Sequence, residues 1–268
     1  MVDVINGEIS GIPEGEVIYP LLVSLYADTK IGKTYFGASF PNAVVIDFPP
    51  VKLSFGKVEI MKRGFGEGFR SLFTPVRQQD GSLNWKPKIG GFDYKNQYQY
   101  VKSWEEFQIA IEKASYYAED ISSLDNGKAW VIIDDSYRWR ALEIYNYITK
   151  NKKKWLSQQE FGIITQVMSS QITAIQNFAN VLIIHRTTRD FDTKALVPLI
   201  YPSSADFNSD LVISLVHEKR TDTKLHQVAK IFVTGYDFPC LNDEYQNEVV
   251  DPTPEEVLAA AKIPRPLW

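Results

Sequence analysis

One short segment gives the strongest indication of the fold of this chain: Tyr26-Ala27-Asp28-Thr29-Lys30-Ile31-Gly32-Lys33-Thr34. An apolar run from Leu21 precedes it, and a short helical stretch follows it as far as Pro41. Strand, loop and helix in this order are the context that a phosphate-binding loop requires. Backbone N–H groups of such a loop converge on phosphate oxygens, and the helix N-terminus adds partial positive charge. The stretch predicts a nucleotide site; the competing interpretation is a chance Gly-Lys-Thr in a surface turn.

Individual residues of the loop have distinct expected roles. Gly32 lets the backbone approach the phosphates, Lys33 should reach the β- and γ-phosphates, and Thr34 should coordinate Mg²⁺. The usual pattern is GxxxxGK[ST], and Ala27 stands at its first glycine, where it adds only a methyl group. The predicted nucleotide-binding residues are Ala27, Asp28, Thr29, Lys30, Ile31, Gly32, Lys33, Thr34 and Tyr35.

Length and composition limit the class of protein. The 268 residues suit a single large α/β domain over 1–268, and the net charge of −4 excludes a wholly basic nucleic-acid coat while allowing a local basic face. The single Cys240 excludes an internal disulfide and a cysteine zinc site. The polar, acidic start predicts no signal peptide, and no apolar run approaches the roughly 18 residues of a membrane span. We therefore expect an intracellular, cytoplasmic protein.

Apolar runs and capping signals predict the order of elements. Ser103, Ser157 and Thr253 each begin a capping box that starts a helix. Residues 51–100, rich in glycine and aromatics, predict an inserted β-rich subregion, and residues 251–268 predict a C-terminal helix and tail. Further strands, the last two forming an antiparallel pair, are predicted at 17–26, 43–47, 130–134, 181–185, 210–215 and 227–234; residues 186–206 read as a loop or hairpin.

Three polar residues end apolar strands. Asp47, Asp134 and His185 would meet the loop at one edge of a parallel sheet, because ligands bind beyond the carboxyl ends of such strands. Asp134 follows four apolar residues, as the aspartate that holds Mg²⁺ does in nucleotide-hydrolysing proteins; a helix N-cap is the other interpretation. His185 has two possible interpretations: a sensor of the γ-phosphate, or a hydrogen-bonded residue at a strand end. The predicted metal ligands are Thr34 and Asp134.

Parts of the chain resemble a known family. Residues 20–50, 103–136 and 180–216 resemble the RecA/RadA-like ATP-binding proteins of phages and archaeal viruses, which are small recombination ATPases of the AAA type. The resemblance implies a RecA-like P-loop NTPase fold, with a mainly parallel sheet flanked by helices, and ATP with Mg²⁺ as ligands. The family places a catalytic glutamate two residues beyond the position of Asp47, where this chain has Pro49. Either Asp47 or Asp135 would then orient the attacking water, or hydrolysis would be slow.

The resemblance also implies partners and an activity. It implies an ATPase that acts on single-stranded DNA in recombination or annealing, as a ring or filament of identical subunits, in a host cytoplasm if the protein is viral. Two alternatives are a nucleotide-dependent assembly or switch protein with little hydrolysis, and a viral packaging or helicase-type motor. Arg220 follows the fifth strand and could reach the γ-phosphate of a neighbouring subunit, or it could lie in a solvated β-turn. The basic run 152–154 is open between a solvated loop and a DNA contact.

Overall fold

The computed structural model describes residues 20–28, 30–48, 51–54, 57–60, 76–77, 83–84, 97–101, 103–123, 128–189, 196–203, 205, 208–219, 224–233 and 247–263. The strands are β1 (Leu22–Ala27), β2 (Ala43–Asp47), β3 (Val51–Ser54), β4 (Lys57–Ile60), β5 (Val76–Arg77), β6 (Leu83–Asn84), β7 (Gln97–Tyr100), β8 (Trp130–Asp134), β9 (Asn180–Arg189), β10 (Leu196–Leu199), β11 (Leu211–Lys219), β12 (Leu225–Val233) and β13 (Asn247–Val250). The helices are α1 (Lys33–Ala38), α2 (Trp104–Ser123), α3 (Ser136–Lys150), α4 (Gln158–Gln176) and α5 (Pro254–Ala260).

One mixed, mostly parallel sheet forms the centre of the described chain. Its strand order is β13-β12-β11-β1-β9-β8-β2-β7, and β10 pairs with β9 at the side of this row. The six strands from β11 to β7 run parallel, whereas β12 is antiparallel to both of its neighbours, β11 and β13. The predicted antiparallel C-terminal pair is therefore confirmed, and β9 lies between the strand that precedes the loop and the strand that ends in Asp134.

The expected subregion 51–100 needs one correction. Residues 97–100 belong to the main sheet, because β7 pairs in parallel with β2 as its edge strand. The described residues before them form two small antiparallel pairs, β3 with β4 and β5 with β6. Edge strands need no apolar face on both sides, and the alternating Gln-Tyr-Gln-Tyr of β7 fits such a position.

Helix starts follow the predicted capping signals. At Ser157 and Thr253 both reciprocal bonds of the capping box are present, and Ser103 Oγ accepts a hydrogen bond of 3.1 Å from Glu106 N. The strand expected at 181–185 continues to Arg189, into the range 186–206 expected as a loop or hairpin, and β10 pairs antiparallel with residues 186–189, which makes this part a hairpin. These local signals place α2, α4 and α5 where the sequence indicated.

Helices cover both faces of the sheet. Val23, Leu25, Ile132 and Ile184 face one side, where they form a buried core with α1 and α5. The residues between them in each strand face the other side and pack with α2, α3 and α4. Because side chains alternate along a strand, every strand residue near the loop is assigned to the α1 face or to the opposite face.

The central strand β1 is held at its start by two distant side chains. Leu21 N donates to Asn180 Oδ1 at 2.8 Å, and Leu22 N donates to Asp210 Oδ2 at 2.7 Å. Burial raises the pKa of Asp210 to about 6, so this acceptor is partly neutral near that pH. The position of β1, and with it the loop that follows, is thus fixed by the segments that begin β9 and precede β11.

Candidate functional site

The loop after β1 adopts a backbone conformation that favours glycine at position 32. Gly32 adopts φ 95° and ψ 16°, in the left-handed region, and is the N-cap of α1. Lys30 is also left-handed, with φ 67°. Ala27, in contrast, ends β1 in extended backbone and is 2% exposed. An alanine at this first position therefore meets no conformational obstacle, which explains why the chain departs from the usual glycine there.

Lys33 folds back over the loop. Its Nζ donates to Ala27 O at 2.6 Å and to Asp28 O at 2.9 Å. Burial lowers the pKa of Lys33, while the nearby carboxylates of Asp134, Asp135 and Asp28 raise it. The ammonium of Lys33 is thus bound by two carbonyl oxygens and lies near three carboxylates. It is the group in the loop that a phosphate would contact.

Thr34 and Asp134 lie in direct contact. The Thr34 hydroxyl donates to Asp134 Oδ2 at 2.6 Å, joining the first turn of α1 to the end of β8. Both are oxygen groups of the kind Mg²⁺ binds, and Mg²⁺ usually takes one or two protein oxygens together with phosphates and water. The described residues contain no group of three or more His, Cys, Asp or Glu side chains arranged for a metal ion. The pair therefore fits Mg²⁺ that arrives with a nucleotide.

Asp47 lies on β2, beside Asp134. The two aspartates are register partners in the parallel sheet, and the Asp47 residue is fully buried. Its Oδ1 lies 3.4 Å from Nη1 of Arg138, and the same nitrogen donates to Phe48 O at 3.0 Å. Asp47 is one of the two aspartates expected to orient the attacking water in place of the missing glutamate. Its carboxylate is part of a buried ion pair.

Asp135 is the N-cap of α3. Its Oδ1 accepts from Arg138 N at 2.9 Å, and its Oδ2 lies 3.2 Å from Arg138 Nε and 2.9 Å from Arg186 Nε. The capping role that the sequence left open for Asp134 thus falls to the next residue. Two guanidinium groups hold the Asp135 carboxylate in the described structure.

His185 lies on the face of the sheet away from α1. It is 1% exposed, its Nε2 is 3.1 Å from Ser24 Oγ, and its Nδ1 is 2.9 Å from Ser136 Oγ. Burial lowers its pKa to about 3, so the ring is neutral at physiological pH. The two contacts match the interpretation of a hydrogen-bonded histidine, but β9 continues to Arg189, so His185 does not end its strand as expected. A role as γ-phosphate sensor stays a prediction.

Arg186 was missed by the sequence interpretation. It follows His185 in β9 and therefore takes the opposite face, which is the face of Ile184 and α1. Its guanidinium pairs with Asp135 and lies 4.8 Å from the centre of the Tyr137 ring. The alternation of Leu182, Ile184 and Arg186 along the strand is the signal that could have identified it.

Gln227 is a second residue that the sequence did not indicate. From β12 its Nε2 donates to the carbonyl oxygen of Ile31, inside the loop. The same nitrogen lies 3.0 Å from the place where a Cβ on Gly32 would be. In a trans peptide the carbonyl and the next N–H point in opposite directions, so this bond turns the N–H of Gly32 away from Gln227. The C-terminal antiparallel strands thus support the loop from outside.

The remaining predicted residues are placed as follows. Tyr35 is 52% exposed in the first turn of α1. Thr29 and Arg220 lie outside the described residues. In the basic run 152–154, Lys153 pairs with Glu160 across the start of α4. None of the described helices combines the length and the apolar character that crossing a bilayer requires.

Comparison with known proteins adds no further assignment. No protein-family model matches the sequence, and no curated protein matches it significantly. The basis for a function is therefore the arrangement of Lys33, Thr34 and Asp134, together with the strand order that brings them together.

Proposed function

We propose that this protein is a RecA-like P-loop ATPase that binds ATP with Mg²⁺ at the loop between β1 and α1. The observation that carries the proposal is the 2.6 Å contact between Thr34 and Asp134, with the ammonium of Lys33 held beside it. A hydroxyl, a carboxylate and a lysine at the carboxyl ends of parallel strands are the groups that a nucleoside triphosphate and its metal need. Mg²⁺ would supply charge neutralisation on the β- and γ-phosphate oxygens.

The strand order supports the RecA-like type. One parallel strand, β9, separates the loop strand β1 from β8, which ends in Asp134. RecA-like ATPases have a strand beside the aspartate strand whose polar end faces the γ-phosphate. Here β9 continues to Arg189, and its polar residues His185 and Arg186 lie beside Tyr26 and Ala27, where β1 ends and the loop begins.

The activity on DNA is proposed from the family resemblance. A RecA-like ATPase of this size would act on single-stranded DNA in recombination or annealing, as a ring or filament. The inserted β-rich subregion before β7 would provide a surface for DNA or a partner. ATP turnover measured with and without single-stranded DNA tests this part, and we expect DNA to raise the rate.

A nucleotide-dependent switch with little hydrolysis is the second candidate. It is favoured by the position of the two carboxylates that could replace the missing glutamate, since Asp47 is fully buried and Asp135 is paired with Arg138 and Arg186. Under this alternative, ATP would bind tightly while turnover stayed near the background rate.

Two variants test nucleotide binding itself. Lys33→Ala should lose most ATP affinity in calorimetry, because the triphosphate loses the cation that the loop holds for it. Asp134→Asn should keep ATP binding but lose Mg²⁺-dependent turnover, because an amide still accepts the hydrogen bond of Thr34 and no longer supplies a carboxylate to the metal. Normal ATP binding by Lys33→Ala would refute the proposal.

A further inference from the structure

We propose that Arg186 is a catalytic arginine that contacts the γ-phosphate within its own subunit, and that Asp135 holds it until nucleotide binds. The inference rests on the proposed function. It identifies a positive group for the γ-phosphate that is not part of the loop sequence itself. It predicts hydrolysis in a single subunit, without an arginine from a neighbour.

Strand geometry places Arg186 at the loop. Tyr26 and His185 are register partners in β1 and β9, so Arg186 stands one residue further along, level with Ala27. The next residue, Thr187, donates its hydroxyl to Ala27 O at 3.3 Å, and that carbonyl also accepts the bond from Lys33 Nζ. Thr187 and Lys33 thus meet at one carbonyl group, and Arg186 directly precedes Thr187 in the strand.

The guanidinium is oriented and still accessible. Nε of Arg186 bonds to Asp135 Oδ2 at 2.9 Å, and the group lies over the Tyr137 ring, 4.8 Å from its centre. The side chain is 38% exposed, in contrast to the 14% of Arg138, the other partner of Asp135. Of the two arginines, Arg186 is therefore the one that can leave Asp135 for a ligand.

Charge favours the exchange. Arg186 lies close enough to Lys33 for the two cations to repel each other. A γ-phosphate between the two would relieve their repulsion and offer the guanidinium paired oxygen acceptors, which suit its planar donors. Asp135 would keep both contacts with Arg138 and its place at the start of α3, while its Oδ2 lost one of two guanidinium partners and could accept a hydrogen bond in its place.

Hydrolysis of ATP then requires one bond to form and one bond to break. The oxygen of a water molecule held by Asp135 attacks the γ-phosphorus, and the bond from that phosphorus to the β–γ bridging oxygen breaks. The electron pair of that bond leaves with ADP, and the water proton passes to the Asp135 carboxylate and then to phosphate. Arg186 stabilises the charge on the γ-phosphate oxygens in the transition state.

The test compares Arg186→Ala and Arg186→Lys with Arg140→Ala. Arg140 is a matched control because it also lies over aromatic rings, 4.3 Å from the centre of Tyr201 and 5.1 Å from that of Phe161. Turnover of ATP should fall roughly a thousandfold in Arg186→Ala, and less in Arg186→Lys, which keeps the charge but not the planar fork. Arg140→Ala should retain the wild-type rate.

Binding provides a second readout that does not need turnover. Calorimetry with ADP and with a non-hydrolysable ATP analogue should show that Arg186→Ala keeps its affinity for ADP but binds the analogue roughly 10- to 100-fold more weakly than wild type. Mixing Arg186→Ala with Lys33→Ala subunits should restore no activity, because both groups act in one subunit.

The outcomes separate the two proposals. A wild-type protein that binds neither nucleotide refutes the proposed function, and this inference with it. A wild-type protein that binds both, together with an Arg186→Ala variant of unchanged analogue affinity, refutes only the role of Arg186. Recovery of turnover in the mixed subunits would also overturn it and would favour a cation supplied by the neighbour.

Discussion

Gly37 in α1 provides a sensitive test of how the loop is held against the sheet. A Cβ at this position would lie 3.0 Å from Ile184 Cδ1 and 3.1 Å from both Ile132 Cγ2 and Leu182 Cδ2. These three side chains belong to the α1 face of β8 and β9. Gly37→Ala would therefore push α1 away from the strand that ends in Asp134.

The size of the effect follows from a comparison with Gly162 in α4, where an added Cβ would meet no atom within 4 Å beyond the adjoining residues and the backbone of its own helix. Alanine gains about 1 kcal/mol over glycine inside a helix, so Gly162→Ala should be stabilising. Gly37→Ala has the same gain but adds overpacking that costs about 1–3 kcal/mol. The propensity term cancels between the two variants, so Gly37→Ala should be about 2 kcal/mol less stable than Gly162→Ala.

Thermal unfolding followed by circular dichroism measures this difference. For a chain of this size, about 2 kcal/mol corresponds to a separation of roughly 4–8 °C between the two melting temperatures. Gly37→Ala should also weaken binding of ATP with Mg²⁺, because the displaced α1 moves Thr34 from Asp134. Equal melting temperatures for the two variants would refute the idea that close packing of α1 on the sheet positions the loop.

Two further predictions concern Gln227 and His185. Gln227→Leu removes the donor to Ile31 O, so calorimetry should show ATP affinity reduced by about threefold to tenfold with little change in melting temperature; unchanged affinity would show that the loop keeps its shape unaided. The unfolded chain takes up a proton at His185 near its ordinary pKa of about 6.5, while the folded protein resists it down to about 3, so this residue lowers stability as pH falls below about 6.5. Between pH 8 and pH 5 the free energy of unfolding should fall by about 2 kcal/mol because of His185, and urea titrations should show that His185→Gln lacks this loss. Asp210, whose pKa is raised, changes the stability of both proteins equally and in the opposite direction. If the stabilities of wild type and His185→Gln changed in parallel with pH, the assignment to His185 would be wrong.

Local patterns in the sequence predicted most of the sheet. Buried parallel strands are continuous apolar runs, and those at 43–47 and 130–134 have the predicted bounds. The capping boxes likewise located helix starts, because they depend on residues only three positions apart. Strands β7 and β13 were missed because they lie at the two ends of the sheet, where polar residues such as Gln97 and Glu248 are tolerated.

The sequence predicted those residues of the candidate site that belong to a local pattern, such as the end of an apolar strand. Asp134 and Thr34 follow recognisable patterns, and the structure brings them together. The pairing of Asp135 with Arg186 and the support from Gln227 depend on contacts across 51 and 196 residues of sequence. Nothing local encodes such pairs. The faces of His185 and Arg186, however, could have been separated by counting alternate residues from Ile184.

The way β1 is held has a consequence for synthesis on the ribosome. The acceptors for the N–H groups of Leu21 and Leu22, at its start, lie 159 and 188 residues further along the chain. At a translation rate of roughly 5–20 residues per second, the completed strand waits roughly 10 to 40 s before both can emerge. During that time an apolar strand and its loop exist without either neighbour, since β9 and β11 are made afterwards. An apolar strand therefore stays exposed on the nascent chain for this time, and slower translation between β8 and β11 would lengthen its exposure.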